Sequence, residues 1–285
     1  MKKRRPYAFL LVVVLLLAFG TVFYIAIERL TREVSPVSKS GPGTATSRQT
    51  ASAAVLRKAI EDGDIAAIKA ELARSGGDIN GQFYLLEVGR RQVSLLTYAA
   101  MQGSSQTIKA LIEAGARPEA ASDDWGTPLM MAAAKGDLAS MSELIKAGAK
   151  VNERNRWGES ALFMAVRFGS PDKVRLLLDS GASVRLADNE GNSVLAAAAG
   201  GEAPPEILRM LLDAGADPDT ANRDGVTPLM IAAKLGDADK CILLLSAGAS
   251  TTLKDGNGWT ALDWARQRSD AAGERCAEVL VQADR

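Results

Sequence analysis

A hydroxyl residue followed two places later by leucine recurs along the chain at a nearly constant step. SLL begins at Ser94, TPL at Thr127, SAL at Ser160, SVL at Ser193, TPL at Thr227 and TAL at Thr260, separated by 33, 33, 33, 34 and 33 residues. A second marker, the glycine of a Gly-Ala pair, falls at Gly115, Gly148, Gly181, Gly215 and Gly248 with steps of 33, 33, 34 and 33. Two independent markers that hold one step indicate a stacked array of structural repeats. The apolar pattern inside each unit predicts two short helices and a turn. Ser or Thr caps the first helix by accepting a bond from a free backbone N–H, and proline suits the position after it. A small-residue run such as Ala132-Ala133-Ala134 follows and lets helices approach closely. Gly103, Gly136, Gly169 and Gly236 are placed to end that helix in the left-handed conformation. In the second helix, "DKVRLLLDSGA" spaces Val174, Leu177 and Leu178 as a buried stripe, and Gly181 stops it. About a dozen polar residues rich in Asp, Asn and Gly then lead to the next unit, as a turn-bearing finger should.

With these motifs in place, the chain resembles the ankyrin-repeat family. The clearest match is Asp224-Gly225-Val226-Thr227-Pro228-Leu229, then Ala232-Ala233, Gly236, Leu243-Leu244-Leu245 and Gly248-Ala249. The resemblance covers residues 51–285 and implies an all-α solenoid of about seven helix pairs with projecting β-hairpin fingers. It also implies a habit of binding other proteins. The end units are degenerate and heavily charged, which suits capping repeats with one solvated face. "FYLLEVGRRQVSL" has strand-like composition about Gly89 and reads as an extended hairpin, or else as a longer loop.

In ankyrin repeats the residue after TPL is generally a histidine that bonds backbone groups between fingers and helices. Here that position holds Thr97, Met130, Phe163, Ala196, Met230 and Asp263, and the chain contains no histidine. Most of these side chains fill volume without replacing an imidazole bridge, so packing and capping are expected to hold the framework. The missing imidazole also removes the usual base for Ser or Cys and the commonest transition-metal ligand. No Walker loop, GxGxxG or CxxC occurs, and Asp and Glu fall mainly on fingers and helix surfaces. The expectation is a non-enzyme with no catalytic residues, metal or cofactor; a carboxylate-based hydrolase is the remote rival. Lys+Arg 34 against Asp+Glu 34 gives no steering towards nucleic acid.

Cys241 and Cys276 occupy matching positions in neighbouring units. Packed helices lie about 8–10 Å apart, whereas a disulfide needs Cα atoms closer than about 7 Å. They therefore read as core thiols rather than a bridge, with redox sensing the minor reading.

At the amino end, Tyr7 to Ile27 runs 21 positions without a charged residue. That spans roughly 30 Å as a helix, enough to cross a hydrocarbon core. Lys2, Lys3, Arg4 and Arg5 precede it, so the positive-inside tendency sends the array across the membrane. Arg29 and Arg32 weaken that asymmetry without reversing it. Residues 1–33 thus read as an uncleaved membrane anchor and 34–50 as a flexible linker. A cleaved signal peptide ending near Ala18-Phe19-Gly20 is the rival. The style is that of a bacterial inner-membrane protein whose array, residues 51–285, faces the periplasm.

The function expected is a protein-binding module acting as scaffold, inhibitor or protector, with no small-molecule substrate. Alternatives are a cytoplasm-facing membrane adaptor and a toxin-neutralising immunity-type protein. The resemblance places contact positions just before the TPL element and just after the paired alanines. On fingers these carry Asp123, Asp124, Arg156, Trp157, Glu159, Arg223, Asp224, Val226, Asn257 and Trp259; on first helices, Met101, Gln102, Lys135, Arg167, Phe168, Lys234, Leu235, Gln267 and Arg268. Trp157 and Trp259 draw most interest, since exposed tryptophan and arginine often anchor protein contacts; packing on an adjacent finger is the other reading. Trp125 stands where neighbouring units have the turn glycine. Met131, Met164, Ile231 and Trp264 are expected in the core.

Overall fold

In the computed structural model, residues 45–85, 91–120, 122 and 126–283 are described. The segment read as a membrane anchor lies outside them, as do Asp123, Asp124 and Trp125. Among the described residues no helix is long and apolar enough to cross a membrane. Seven helix pairs follow one another there. They are α1 (Ala45–Glu61) with α2 (Ile65–Ser75), α3 (Leu95–Gln102) with α4 (Ser105–Glu113), α5 (Pro128–Ala134) with α6 (Leu138–Lys146), and α7 (Ala161–Arg167) with α8 (Pro171–Asp179). Then come α9 (Val194–Gly200) with α10 (Pro205–Asp213), α11 (Pro228–Leu235) with α12 (Ala238–Ser246), and α13 (Ala261–Arg266) with α14 (Ala271–Ala283). Helix α1 begins at Ala45, inside the stretch 34–50 read as linker.

The hydroxyl series does what its chemistry predicts. Each of Ser94, Thr127, Ser160, Ser193, Thr227 and Thr260 accepts a bond from the backbone N–H three residues on, at 3.0 to 3.4 Å. Such caps are each worth about 1 kcal/mol. Gly103, Gly169 and Gly236 have φ of 71°, 66° and 73° and turn the chain after their helices. Gly136 departs from that expectation, because α5 already ends at Ala134 and Gly136 is not left-handed. Its glycine is required by crowding instead: a Cβ there would lie 2.4 Å from the Ala100 carbonyl oxygen of the preceding inner helix.

The same crowding runs along the whole inner row. Ala132, Ala133, Ala165, Ala198, Ala232 and Ala265 have no exposed surface. Neighbouring inner helices pack on one another more extensively than neighbouring outer helices do. Closer approach on one side curves the stack, so the inner helices line its concave face. The outer helices supply the deeper apolar stripe: Val174 and Leu177 are fully buried as expected, with Leu178 half-buried beside them. Met131, Met164 and Trp264 are buried and Ile231 is half-buried, in line with their assignment to the core.

Gly89 lies outside the described residues, and the strands on either side of 86–90 are paired. β1 (Gln82–Leu85) pairs antiparallel with β2 (Arg91–Ser94), in a register that sets Phe83 opposite Val93. The last residue of β2, Ser94, is also the cap of α3, so the strand feeds its repeat without a loop.

The fingers are tied in series by their backbones. Trp157 O accepts from Asn189 N at 2.8 Å, Glu190 O from Arg223 N at 3.1 Å, and Asp224 O from Gly256 N at 2.7 Å. Each turn is closed locally by a side-chain carbonyl or carboxylate. Oδ1 of Asn155, Asn222 and Asp255 accepts from the backbone N–H groups two and four residues on, and Asp188 does the same. This brings the next finger so close to Gly158 (φ 82°) that a Cβ would lie 2.8 Å from Asn189 N. At Gly148 (φ 90°) nothing lies within 4 Å of the same atom. Gly148→Ala is therefore expected to cost only the left-handed backbone strain, about 1–2 kcal/mol. Gly158→Ala should cost roughly twice that, since strain and a backbone clash add. Urea unfolding of the two variants measures the difference, and equal losses would refute the close-approach account.

Candidate binding face

Replacing the histidine leaves four different solutions. Met130 and Met230 turn their sulfurs back to accept from the cap N–H of Thr127 and Thr227, at 3.4 and 3.5 Å. Asp263 accepts from both the N–H and the hydroxyl of Thr260, bonds that hold its carboxyl below the ordinary range. Phe163 and Ala196 fill volume. Thr97 corrects the expectation that a bridge is lost, because its hydroxyl and that of Ser94 both reach Ala120 O, at 3.3 and 3.0 Å. A pair of hydroxyls here spans helix and finger where one imidazole is missing.

The clearest exposed aromatic cluster belongs to the fourth helix pair. Trp157 sits at the finger tip with 41% of its surface exposed, and Phe168 follows the end of α7 with 42% exposed. The Arg156 guanidinium lies 4.4 Å from the centroid of the Trp157 ring, a stacked cation–π arrangement. The finger and α7 are fixed to each other by Glu159, which is buried and pairs with Arg167 and with Asn155 Nδ2. Arg167 also lies 5.4 Å from the Phe163 ring centroid. Glu159 and the Arg167 guanidinium thus build the support, while the Arg167 side chain stays 43% exposed.

Other expected contact residues divide. Leu235 is exposed, as are Arg223, Asp224 and Asn257. Lys135 is exposed and Lys234 half-buried, yet the wall around both desolvates their ammonium groups and holds them below the ordinary lysine range. Lys234 is engaged internally, with Nζ 4.5 Å from the centroid of the Trp264 ring. Trp259 is half-buried and meets Trp264 edge-on, with centroids 5.9 Å apart at 74°. Its ring meets a helix of its own repeat rather than the adjacent finger.

Two basic side chains, Lys173 and Lys240, escaped the sequence reasoning, and Arg268, expected at a contact position, joins them in an internal role. Lys173 Nζ donates to Ala133 O at 3.1 Å, Lys240 Nζ to Gly201 O at 3.0 Å, and Arg268 Nη1 to Lys234 O at 3.2 Å. Each reaches from one repeat to the carboxyl end of the inner helix before it, where a cation complements the helix dipole and an orphan carbonyl. Burial pushes the Lys240 ammonium below its ordinary range. For Lys173 and Lys240, a cation in the first turn of the second helix was the available signal.

Cys241 and Cys276 are free and fully buried, as expected of core thiols. Their sulfurs nevertheless lie 3.0 Å apart. The argument from axis separation fails here because both side chains face the shared interface and close the gap between them. Among the described residues no cluster of three or more His, Cys, Asp and Glu could hold a metal ion.

A family model described as ankyrin repeats (three copies) matches residues 56–155, 96–188, 129–222 and 194–284 in overlapping placements. The chain belongs to the ankyrin-repeat family. Solved structures agree in fold. The ankyrin repeat domain of Bcl-3, described as a unique member of the IkappaB protein family, superposes with a TM-score of 0.65 at 24% identity, covering 80% of this chain and 97% of that one. The human ASB11 ankyrin repeat domain gives a TM-score of 0.65 at 26% identity, covering 80% and 96%. A search of curated proteins returns no significant match. Ankyrin repeats are a protein–protein interaction module.

Truncating Arg167 leaves the buried Glu159 carboxylate with one side-chain partner fewer. Arg167→Ala is expected to lower stability by about 1–2 kcal/mol, a buried-pair loss discounted for the exposed guanidinium. Arg156→Ala, on the same finger, should change stability by less than about 0.5 kcal/mol. Thermal unfolding of both variants checks the contrast.

Proposed function

We propose that this chain is a membrane-anchored, non-enzymatic binding protein whose ankyrin array faces the periplasm and holds a protein partner around its fourth repeat. The observation that carries the reading is the exposed Trp157 with Arg156 over its ring, in a repeat that also exposes Phe168. Large aromatic and guanidinium groups held in place by a buried support make low-entropy anchors, the kind of residue that dominates protein contacts. Leu235, Arg223 and Asp224 extend the surface towards the carboxyl end, and Lys135 towards the amino end. Trp259 contributes at most an edge.

The location rests on sequence: the uncharged run 7–27, four basic residues before it, and no basic cluster of equal strength after it. A fusion of alkaline phosphatase after Arg285 should be active, and the array should be digested when spheroplasts are treated with protease. A fluorescent cytoplasmic fusion with a protected array would overturn the orientation.

The surface is tested separately, in membranes carrying the full chain. A photo-crosslinking amino acid at Trp157 or Phe168 should give a discrete adduct with another protein. The same probe at Ile242, exposed on the outer helix α12, should not. The double variant Trp157→Ala, Phe168→Ala, probed at Leu235, should lose most of that adduct while keeping its helical circular dichroism. Adducts of equal strength at all three positions would refute a defined binding face.

A further inference from the structure

The carboxyl-terminal closure of the array contains a chemical feature that partner binding does not use. Cys241 on α12 and Cys276 on α14 face each other across the last repeat interface, both with no exposed surface, and their sulfurs are 3.0 Å apart. They are the only two cysteines in the chain, so each has one intramolecular partner and no competitor. A disulfide requires the sulfurs to close by about 1 Å more, a change within the reach of χ1 and χ2 adjustments in two helices. Repeats earlier in the stack carry apolar side chains at the matching position, Ile108 and Val174 among them. The thiol pair therefore occurs only where the array ends.

We propose that Cys241 and Cys276 are a dithiol–disulfide couple that staples the closing helix pair, α13 and α14, to the body of the array. The oxidant is a disulfide of the small-molecule or oxidoreductase class. The Cys276 thiolate attacks one of its sulfurs, forming a mixed disulfide and releasing the first thiol. The Cys241 sulfur, its proton passing to solvent, then attacks the Cys276 sulfur and expels the second thiol. Two protein thiols are oxidised to cystine and one external disulfide is reduced to two thiols. The order follows from the interface. The contact with Cys241 holds the Cys276 thiol below the ordinary range, helped by the nearby Arg268 and Arg275 and opposed by burial and Asp237. The same contact, and burial after it, push Cys241 up.

Access is controlled by the fold. An oxidant meets neither sulfur while α14 is docked. The seventh pair packs on α11 and α12, and its local opening is the one that exposes both sulfurs. The staple forms when the end of the stack frays, and once formed it keeps that end closed. The chain segment it encloses, residues 241–276, holds the finger with Asp255 and Trp259 and all of α13. This inference concerns the chemistry of the pair and does not rest on the proposed partner or location.

The test uses reduced full-length protein in detergent, incubated with oxidised glutathione and then denatured and alkylated. The expected result is loss of both alkylatable thiols in a monomer whose mass falls by two hydrogens, reversed by dithiothreitol. The oxidised form should unfold about 5 °C or more above the reduced form, and the α14 amides should exchange at least about tenfold more slowly. Cys276→Ala, which retains one thiol, should show neither change under the same treatment. Thr260→Ala, which loosens α13 without touching either sulfur, should speed oxidation of the pair. Stable glutathione adducts on separate cysteines, intermolecular dimers, or a cystine that leaves both unfolding and exchange unchanged would each overturn the proposal.

Discussion

Everything in this array depends on how closely one inner helix approaches the next. The alanines at the centre of α5, α7, α9, α11 and α13 have no exposed surface, and at the tightest points even a methyl is too large. A Cβ on Gly136 would meet Ala100 O at 2.4 Å, and one on Gly200 would meet Ile231 Cγ2 at 2.9 Å. Outer helices with leucine-sized contacts cannot come so near. The difference between a small-residue row and a large-residue row gives the stack its curvature and its concave face. No pair buries its own apolar stripe, so each is stable only against its neighbours.

Close packing brings polar backbone into the interface, and the rest of the structure manages that consequence. Inner helices here run six to eight residues, so a large share of their N–H and C=O groups are terminal and lack an intrahelical partner. Hydroxyl caps serve the amino ends. At the carboxyl ends, Lys173, Lys240 and Arg268 reach over from the following repeat. These three bonds also cross between repeats, so they couple neighbours as well as satisfying carbonyls. Hydrogen bonds of this charged type contribute about 1.5–3 kcal/mol before desolvation is set against them. For a lysine as buried as Lys240 that offset is substantial.

The repeat, the caps, the helix-ending glycines and the core stripe were legible because each rests on a single residue type at a fixed step. What escaped were features that need two repeats at once. Gly136 looked like a helix terminator, but its role is set by Ala100 in the previous unit. Thr97 looked like a lost bridge until Ala120 of the next finger came within reach. The cysteines looked too far apart because axis spacing ignores which way side chains face. Among the candidate contact residues, Trp157 and Trp259 read alike in sequence. They diverge because Trp264 lies beside Trp259, while the turn at Trp157 is followed by Asn189, which binds only its backbone.

That last difference explains how the array can carry a binding face without cost to its stack. The finger-to-finger bonds use the carbonyls of Trp157, Glu190 and Asp224 and the N–H groups of Asn189, Arg223 and Gly256. The acceptors sit at one position in the fourth to sixth fingers, and the donors at the preceding position in the fifth to seventh. A backbone bond is indifferent to the side chain that bears it, so tryptophan, glutamate and aspartate serve equally at one position. The tip side chains are thereby released from structural duty and can vary with whatever they contact. At the closing repeat the logic reverses. Trp259 and Lys234 pack on Trp264, so side chains at two expected contact positions are drawn inward and held by the seventh helix pair.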